Sequence, residues 1–300
     1  MAEPKIVVAV PTFKRPQALD SLLTALREQT AGLPARVLVI DNDPDGSASE
    51  VCARHEVTYV REPSAGLAAV RNRALDESPA EDALAFIDDD ELPGAGWLPT
   101  LVERWMRSGA TAVSGRVESR FPEGFDDPWI RAGGFFTRIA FDDGAHQPFA
   151  PTNNLLLDLA FTREHSLRFD SDFGMSGGED ILFTTQIVAA GGTIVSCPAA
   201  LVYDDVAADR LNRSWVLRRA YRVGISTVRA DLVDRHGLAR RARWIARGAA
   251  RLAAGSGRWL WGSLSRSDKH EARGARAAAR GAGMVMAAFG ADYAEYAHRR

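Results

Sequence analysis

The stretch that decides the fold is ALAFIDDDELP, residues 83–93. Its apolar run, Ala83 to Ile87, is followed directly by four carboxylates, Asp88 to Glu91. A continuous apolar run of this length is typical of a strand that is buried on both faces of a parallel sheet. Four adjacent carboxylates repel one another and add nothing to a core, so the sequence predicts a buried strand that ends at a polar edge.

The same pattern, an apolar strand followed by polar residues, occurs twice earlier in the chain. Residues 5–10 (KIVVAV) precede PTFKRP, and residues 36–42 (RVLVIDN) end in polar side chains. Further strands are predicted at 57–62, 111–117 and 193–204, with amphipathic segments between several of them. This alternation predicts an α/β fold with a mostly parallel sheet flanked by helices. Ligands bind beyond the carboxyl ends of such strands, so we expect the polar clusters to share one edge.

A second acidic motif, GGED, occupies residues 177–180. We expect a helix to begin at Gly178 or Glu179, where unpaired amides and the helix dipole stabilise carboxylates. For GED alone, ordinary helix capping is the favoured interpretation. The paired glycines shift the balance towards a site, because they permit close approach of a ligand and a cap would not need both. The run Asp88–Glu91 has a similar ambiguity: it could hold a hard divalent cation or form a solvated turn before the next helix.

The charge of the chain is unevenly distributed although its formal net charge is only −2. Residues 210–300 hold 20 basic and 6 acidic side chains, and the rest of the chain is acidic. We expect an α/β domain over residues 1–225 and a basic, helical C-terminal extension over 226–300. Residues 121–151 lack any periodicity and predict a long loop, a type of segment that often carries function in compact domains.

The basic extension suggests a surface for a partner. Arg240, Arg243, Arg247 and Arg251 form one helical stripe, and WLWGSL follows at 259–264. Basic amphipathic helices with tryptophan lie at anionic membrane surfaces. The alternatives are a helical bundle that covers the catalytic domain and a homodimer interface. Since no nucleic-acid motif accompanies the charge, we expect no nucleic-acid partner. A second set of arginines, spaced three and four residues apart, comprises Arg273, Arg276 and Arg280.

Six segments, in this order, resemble family-2 glycosyltransferases with the GT-A fold: VPTFKRP, VIDND, GLAAVRNRAL, FIDDDELP, TNNLLL and FDSDFGMSGGED. The resemblance covers about residues 4–222. It implies a nucleotide-diphospho-sugar transferase that moves a sugar, with inversion, onto an acceptor hydroxyl. UDP is the expected nucleotide because it is common in the family. The expected acceptor is a glycan, a lipid-linked molecule or a small molecule, and the product a cell-surface polysaccharide, glycolipid or glycoconjugate.

The resemblance also implies roles for individual residues. Asp180 matches the catalytic base, with Glu179 beside it. Asp90 matches the direct ligand of Mg²⁺ or Mn²⁺, and Asp88 contacts the ribose or the metal. Residues that line the donor or acceptor cleft are Asp89, Asn153, Asn154, Gly177 and Gly178. Residues beside the nucleotide are Thr12, Arg15, Asp41, Arg71 and Asp88.

The chain departs from the family pattern at Asp204, which stands where many members have a metal-binding histidine. Asp204 could still supply an oxygen ligand, or the metal is held by Asp90 and the diphosphate alone. One alternative function is a nucleotidyltransferase, although VPTFKRP lacks the glycines of a phosphate loop. Another is a catalytically degenerate sugar-nucleotide binding module.

Location is predicted from the cysteines and from hydropathy. The two cysteines, Cys52 and Cys197, are far apart and form no Cys-x-x-Cys motif, which is typical of a reducing compartment. No apolar run approaches the ~18 residues of a spanning helix. We therefore expect a cytoplasmic protein, with peripheral contact at the inner face of the cell membrane if the basic helices bind lipid.

Overall fold

The computed structural model describes residues 3–171, 178–232 and 237–290. The chain forms two compact units. The first comprises Met1–Glu118 and Arg138–Asp205, and the second comprises Ser119–Thr137 and Val206–Arg300. The predicted boundary after residue 225 falls inside a helix of the second unit, Arg213–Leu232.

The first unit is built on a sheet whose order, among the described strands, is β3-β2-β1-β4-β7-β6-β8-β5. β1 to β4 are parallel, whereas β7 runs antiparallel to β4 and to β6, and β5 runs antiparallel to β8. The predicted α/β fold with helices flanking the sheet is confirmed, and the antiparallel pairs are an addition to it. The strands are β1 (Ile6–Thr12), β2 (Ala35–Asp41), β3 (Thr58–Arg61), β4 (Ala83–Ile87), β5 (Glu91–Pro93), β6 (Ala112–Arg120), β7 (Asn154–Asp158) and β8 (Ile194–Asp205).

Helices cover both faces of this sheet because β1 and β4 are apolar on both sides. Val8 and Val10 pack in the cluster that contains Leu19 and Leu22 of α1, while Phe86 packs in the opposite cluster. The described α-helices are α1 (Pro16–Thr30), α2 (Ser49–His55), α3 (Leu67–Asp76), α4 (Trp97–Ser108), α5 (Pro128–Gly133), α6 (Leu159–Glu164), α7 (Glu179–Ala189), α8 (Arg213–Leu232), α9 (Leu238–Leu264) and α10 (Asp268–Ala288).

The second unit contains α5 and the long helices α8, α9 and α10. Glycines bring α9 and α10 together as an antiparallel pair, because a Cβ at Gly255 would lie 2.4 Å from the backbone nitrogen of Ala278. One at Gly274 would lie 2.2 Å from the backbone nitrogen of Trp259. The stretch predicted as a long loop, 121–151, contains α5, whose first turn is capped by Asp127. No helix in the described part of the chain is long and apolar enough to cross a membrane.

Candidate active site

The carboxyl ends of β1, β2 and β4 meet at one edge of the sheet, as the sequence predicts. β1 lies between the other two, and Thr12 at its end pairs in register with Asp41 of β2. The acidic loop that follows β4 is joined directly to this edge, since Thr12 Oγ1 donates a hydrogen bond of 2.8 Å to Asp89 Oδ2. The polar clusters predicted from separate segments therefore belong to one site.

Arg15 holds the acidic loop from the β1 side. Its Nη1 lies 2.9 Å from Asp89 Oδ1 and 2.8 Å from Asp90 Oδ2. Burial raises the pKa of Asp89, and the charge of Arg15 opposes that rise. Asp89 thus ties β4 to β1 by two side-chain contacts, while the side chain of Asp90 is 27% exposed.

Asp41 is fully buried and organises the loop after β2. Its Oδ1 accepts a hydrogen bond from the Asp43 amide at 2.9 Å, and its Oδ2 accepts one from the Ala48 amide at 2.9 Å. The Tyr59 hydroxyl donates to Oδ2 at 3.2 Å. Burial, together with the charge of Asp41, raises the pKa of Tyr59 to about 12. A contact of Asp41 with a nucleotide stays a prediction.

Arg71 on α3 and Glu179 on α7 form an ion pair inside the protein. Their side chains are only 4% and 3% exposed, and Arg71 Nη2 also lies 3.9 Å from Asp88 Oδ1. Burial raises the pKa of Glu179, whereas the charge of Arg71 opposes the rise. Glu179 Oε2 accepts no hydrogen bond from any residue that the structure describes. The pair fixes the first turn of α7 against α3 and places the neighbouring Asp180 at the same edge.

Asp180 is half-buried at the second position of α7, which begins at Glu179 as predicted. Gly178 precedes the helix with φ of 103°, a conformation that favours glycine. Gly177 lies outside the described residues. Asp180 is close enough to Asp88 for the two charges to interact. The sequence therefore identified both acidic motifs of the site, and folding brings them together.

Asp88 lies where these groups converge. Burial raises the pKa of Asp88 to about 7; Arg71 opposes this rise, and Asp90, Asp89 and Asp180 add to it. The side chain of Asp88 is nevertheless 36% exposed to solvent, so water reaches it. The site concentrates negative charge at the end of β4. Carboxylate oxygens are ligands that bind Mg²⁺ and Mn²⁺.

The three predicted metal ligands do not form a ready-made cluster. Within residues 3–171, 178–232 and 237–290, no three Asp, Glu, His or Cys side chains are arranged to hold a metal ion. Asp90 pairs with Arg15, and Asp204 Oδ2 accepts a hydrogen bond of 2.6 Å from Arg138. The carboxylate oxygens are suitable ligands for a hard cation. Because these carboxylates do not form one cluster, a bound ion would need further ligands.

Glu91 is a site residue to which the sequence analysis gave no role of its own. It is 2% exposed, its Oε2 accepts a hydrogen bond from the Asp88 amide at 3.2 Å, and its Oε1 accepts one from Asn153 Nδ2. Burial raises the pKa of Glu91 well above its usual range. In the β5–β8 ladder it pairs with Asp204. Its position directly after Asp88–Asp90 was the available signal, and its contacts make it a support of that loop.

Asn153 and Asn154 are adjacent but form hydrogen bonds with different parts of the protein. Asn153 is bonded to Glu91 and so contacts the site. Asn154 is 1% exposed; its Oδ1 accepts a hydrogen bond from Trp97 Nε1 at 2.8 Å, and its Nδ2 donates to Ala200 O at 2.9 Å. These contacts brace β7 from inside. A role in the donor or acceptor cleft stays a prediction for both.

Comparisons with known sequences show which proteins this chain is similar to. The model of the family described as glycosyl transferase family 2 matches residues 7–165, just over half of the chain. The succinoglycan biosynthesis protein ExoM of Rhizobium meliloti (strain 1021) is 33% identical over 241 residues, which cover 78% of this chain and 77% of ExoM.

Two solved structures share the fold. The mannosyltransferase PcManGT from Pyrobaculum calidifontis, in complex with GDP-Man and Mn²⁺, superposes with a TM-score of 0.61 at 19% identity, covering 92% of this chain and 87% of PcManGT. S. aureus TarS 1-349 in complex with UDP gives a TM-score of 0.50 at 15% identity, covering 89% of each chain. At these identities the two structures support the fold alone.

The family match favours sugar transfer over nucleotidyl transfer, which was one of the alternatives that the sequence left open. The fold, the acidic edge and the relationship to ExoM lead to the same assignment. This chain belongs to glycosyl transferase family 2 and is a glycosyltransferase with a GT-A-like α/β fold.

Proposed function

We propose that the protein transfers a sugar from a nucleotide-diphospho-sugar to an acceptor hydroxyl, with inversion at the anomeric carbon. The observation that carries this proposal is the meeting of two acidic motifs, the Asp88–Asp90 loop and the start of α7, at the edge where β1, β2 and β4 end. Arg15 and Arg71 contact these carboxylates from two sides. Ligands of α/β sheets bind at such an edge.

Asp180 is the proposed general base. It takes the proton of the acceptor hydroxyl as the hydroxyl oxygen attacks the anomeric carbon and the bond from that carbon to the diphosphate oxygen breaks. Asp180 remains partly accessible, whereas Glu179 is buried and paired with Arg71. That difference supports Asp180 as the proton acceptor and Glu179 as the residue that positions the first turn of α7.

Asp90, with Asp88, is the proposed holder of Mg²⁺ or Mn²⁺. When bound, the cation offsets the negative charge of the departing nucleoside diphosphate. The position of Asp88 supports this role, because its side chain is partly exposed at the end of β4 and lies close enough to Asp89, Asp90 and Asp180 for their charges to act on it. Asp204 is a further candidate ligand that would have to leave Arg138. The Mn²⁺ complex of PcManGT is consistent with a divalent metal.

The donor and the product are proposed by class. UDP is the proposed nucleotide of the donor, since TarS binds UDP, and GDP is the rival because PcManGT binds GDP-Man. The relationship to ExoM supports a role in polysaccharide biosynthesis, with a glycan as acceptor. A lipid-linked or small-molecule acceptor is the other option.

A panel of UDP-, GDP- and dTDP-sugars, each with and without Mn²⁺, tests the proposal. We expect one nucleotide class to raise the melting temperature in the presence of metal, and the same class to release its nucleoside diphosphate with a glycan acceptor. The matched control is Asp180→Asn, which should keep the thermal shift and lose nucleotide release. If no nucleotide-sugar stabilises the protein, or if Asp180→Asn releases nucleotide at the normal rate, the proposal is wrong.

A further inference from the structure

The second half of α9 carries large apolar side chains in contact with solvent. Trp259, Leu260, Trp261 and Leu264 are 44%, 52%, 63% and 74% exposed. From residue 249 to residue 264, every position other than the two glycines that meet α10 is exposed. By helical spacing, Leu260, Trp261 and Leu264 lie on the side of α9 that faces away from α10.

The same helix is strongly basic. α9 contains six arginines and no acidic residue in its 27 residues. Arg243, Arg247, Arg251 and Arg258 lie along one flank, because their spacing of four and seven residues keeps them on one side. Within the described chain, Arg243, Arg247 and Arg258 form no ion pair with a carboxylate. A stripe of available positive charge therefore runs beside the exposed apolar residues.

The arginines of α10 have a different role, although the sequence gives them similar spacing. Arg273 Nε donates to Ala132 O at 3.0 Å, Arg276 Nη1 donates to Gly133 O at 3.2 Å, and both acceptors lie at the end of α5. Arg280 Nη2 lies 3.3 Å from Thr227 Oγ1 of α8. Burial lowers the pKa of Arg276 and of Arg280. These three side chains act inside the second unit. The charge of Arg251 also lowers the pKa of Arg276 and of Arg280, which places Arg251 at the edge of α9 beside α10 and leaves Arg243 and Arg247 on the outward part of the basic flank.

We propose that the exposed face of α9, defined here as Trp259, Leu260, Trp261, Leu264 and the flanking arginines, docks on an anionic lipid bilayer. Tryptophan and leucine would enter the interface between headgroups and acyl chains, and the arginines would contact lipid phosphates. The helix would lie in the plane of the interface, since six arginines oppose insertion across the hydrocarbon.

Charge complementarity selects this partner over a second copy of the chain. A homodimer through this face would bring two arginine stripes together without a carboxylate on α9 to offset them. An anionic bilayer supplies both the negative charge and the apolar layer. The inference is independent of sugar transfer, because it uses no residue of the proposed active site.

The test is co-sedimentation of the full chain with vesicles of phosphatidylcholine alone or with ~30% phosphatidylglycerol. We expect binding to the anionic vesicles, weakening with salt, and a blue shift of tryptophan fluorescence. Since each arginine near an anionic surface contributes about fivefold, Arg243→Ala/Arg247→Ala/Arg258→Ala should lower the partition coefficient roughly 100-fold. Trp259→Ser/Trp261→Ser should remove most of the binding and the fluorescence shift.

The matched control removes three exposed arginines elsewhere, in Arg27→Ala/Arg54→Ala/Arg107→Ala, and should bind as the unmodified chain does. Circular dichroism of every variant checks that it is folded. The proposal is overturned if neutral and anionic vesicles bind equally, or if the control set weakens binding as much as the α9 set. It is also overturned if light scattering shows a dimer that Trp259→Ser/Trp261→Ser dissociates while vesicles are not bound.

Discussion

The ion pair between Arg71 and Glu179 makes the sharpest prediction about stability. Both side chains are nearly inaccessible, at 4% and 3% exposure, so each charge depends on the other for its solvation. Removing one partner of a buried pair costs about 3–5 kcal/mol, because it leaves the other charge uncompensated. Arg71→Met should therefore lower the free energy of unfolding by about that amount at pH 7.5.

The double variant Arg71→Met/Glu179→Gln separates the ion pair from general damage to packing. Because Glu179 is then no longer a buried charge without its partner, the double variant should be more stable than Arg71→Met alone by at least ~2 kcal/mol. Glu179→Gln alone leaves Arg71 near Asp88, so it should cost less than Arg71→Met. Urea unfolding of the four proteins, followed by circular dichroism, gives the coupling energy.

The pH dependence provides an independent check. Loss of Arg71 removes a charge that lowers the pKa of Glu179, so in Arg71→Met this pKa rises further above its unfolded value. A carboxyl with a raised pKa favours the folded state at low pH and opposes it as pH rises. Arg71→Met should thus lose less stability at pH 5.5 than at pH 7.5. The double variant should keep only the part of this pH dependence that comes from Asp88, whose pKa Arg71 also lowers. A coupling energy below ~0.5 kcal/mol, with equal deficits at both pH values, would refute the reasoning.

Three further predictions concern the site and the second unit. Asp180→Asn should reduce sugar transfer by 10²-fold or more, as expected for loss of a general base, with nucleotide affinity retained in a binding assay; normal turnover would contradict the assignment. Asp90→Ala should abolish metal-dependent turnover and Asp204→Ala should weaken it, as measured by nucleotide release over a Mn²⁺ titration; equal effects of the two would argue against their different roles. Gly255→Ala should lower the melting temperature, because its Cβ would lie 2.4 Å from the backbone of α10; Gly257→Ala, which meets nothing within 4 Å on the same helix, should raise it slightly.

Local patterns were enough to predict the elements that form the site. The apolar runs before Thr12, Asp41 and Asp88 became β1, β2 and β4, and the paired glycines before Glu179 preceded the start of α7. These predictions succeed because a doubly covered parallel strand must be apolar along its length and must become polar where it leaves the core. The family resemblance extended the same segments to a function, which the comparisons confirm as glycosyl transfer.

Partner choice among the charged side chains could not be predicted in this way. Arg273 and Arg276 have the spacing of an exposed stripe, yet they donate to carbonyls at the end of α5, more than 100 residues away in sequence. Glu91 looked like one more acid in a run, yet it is buried against Asn153. Each of these outcomes depends on which distant element packs over the residue.

The sequence by itself therefore determined the parallel strands β1 to β4, the polar edge and the two acidic motifs, because hydrophobic periodicity and strand ends are local properties of the chain. Tertiary structure alone decided that Arg71 would pair with Glu179, that Asp204 would face Arg138, and that the basic stripe of α9 would stay exposed. The physical reason is that burial and charge pairing depend on contacts between elements far apart in sequence, and no local pattern encodes which of several arginines a carboxylate will meet.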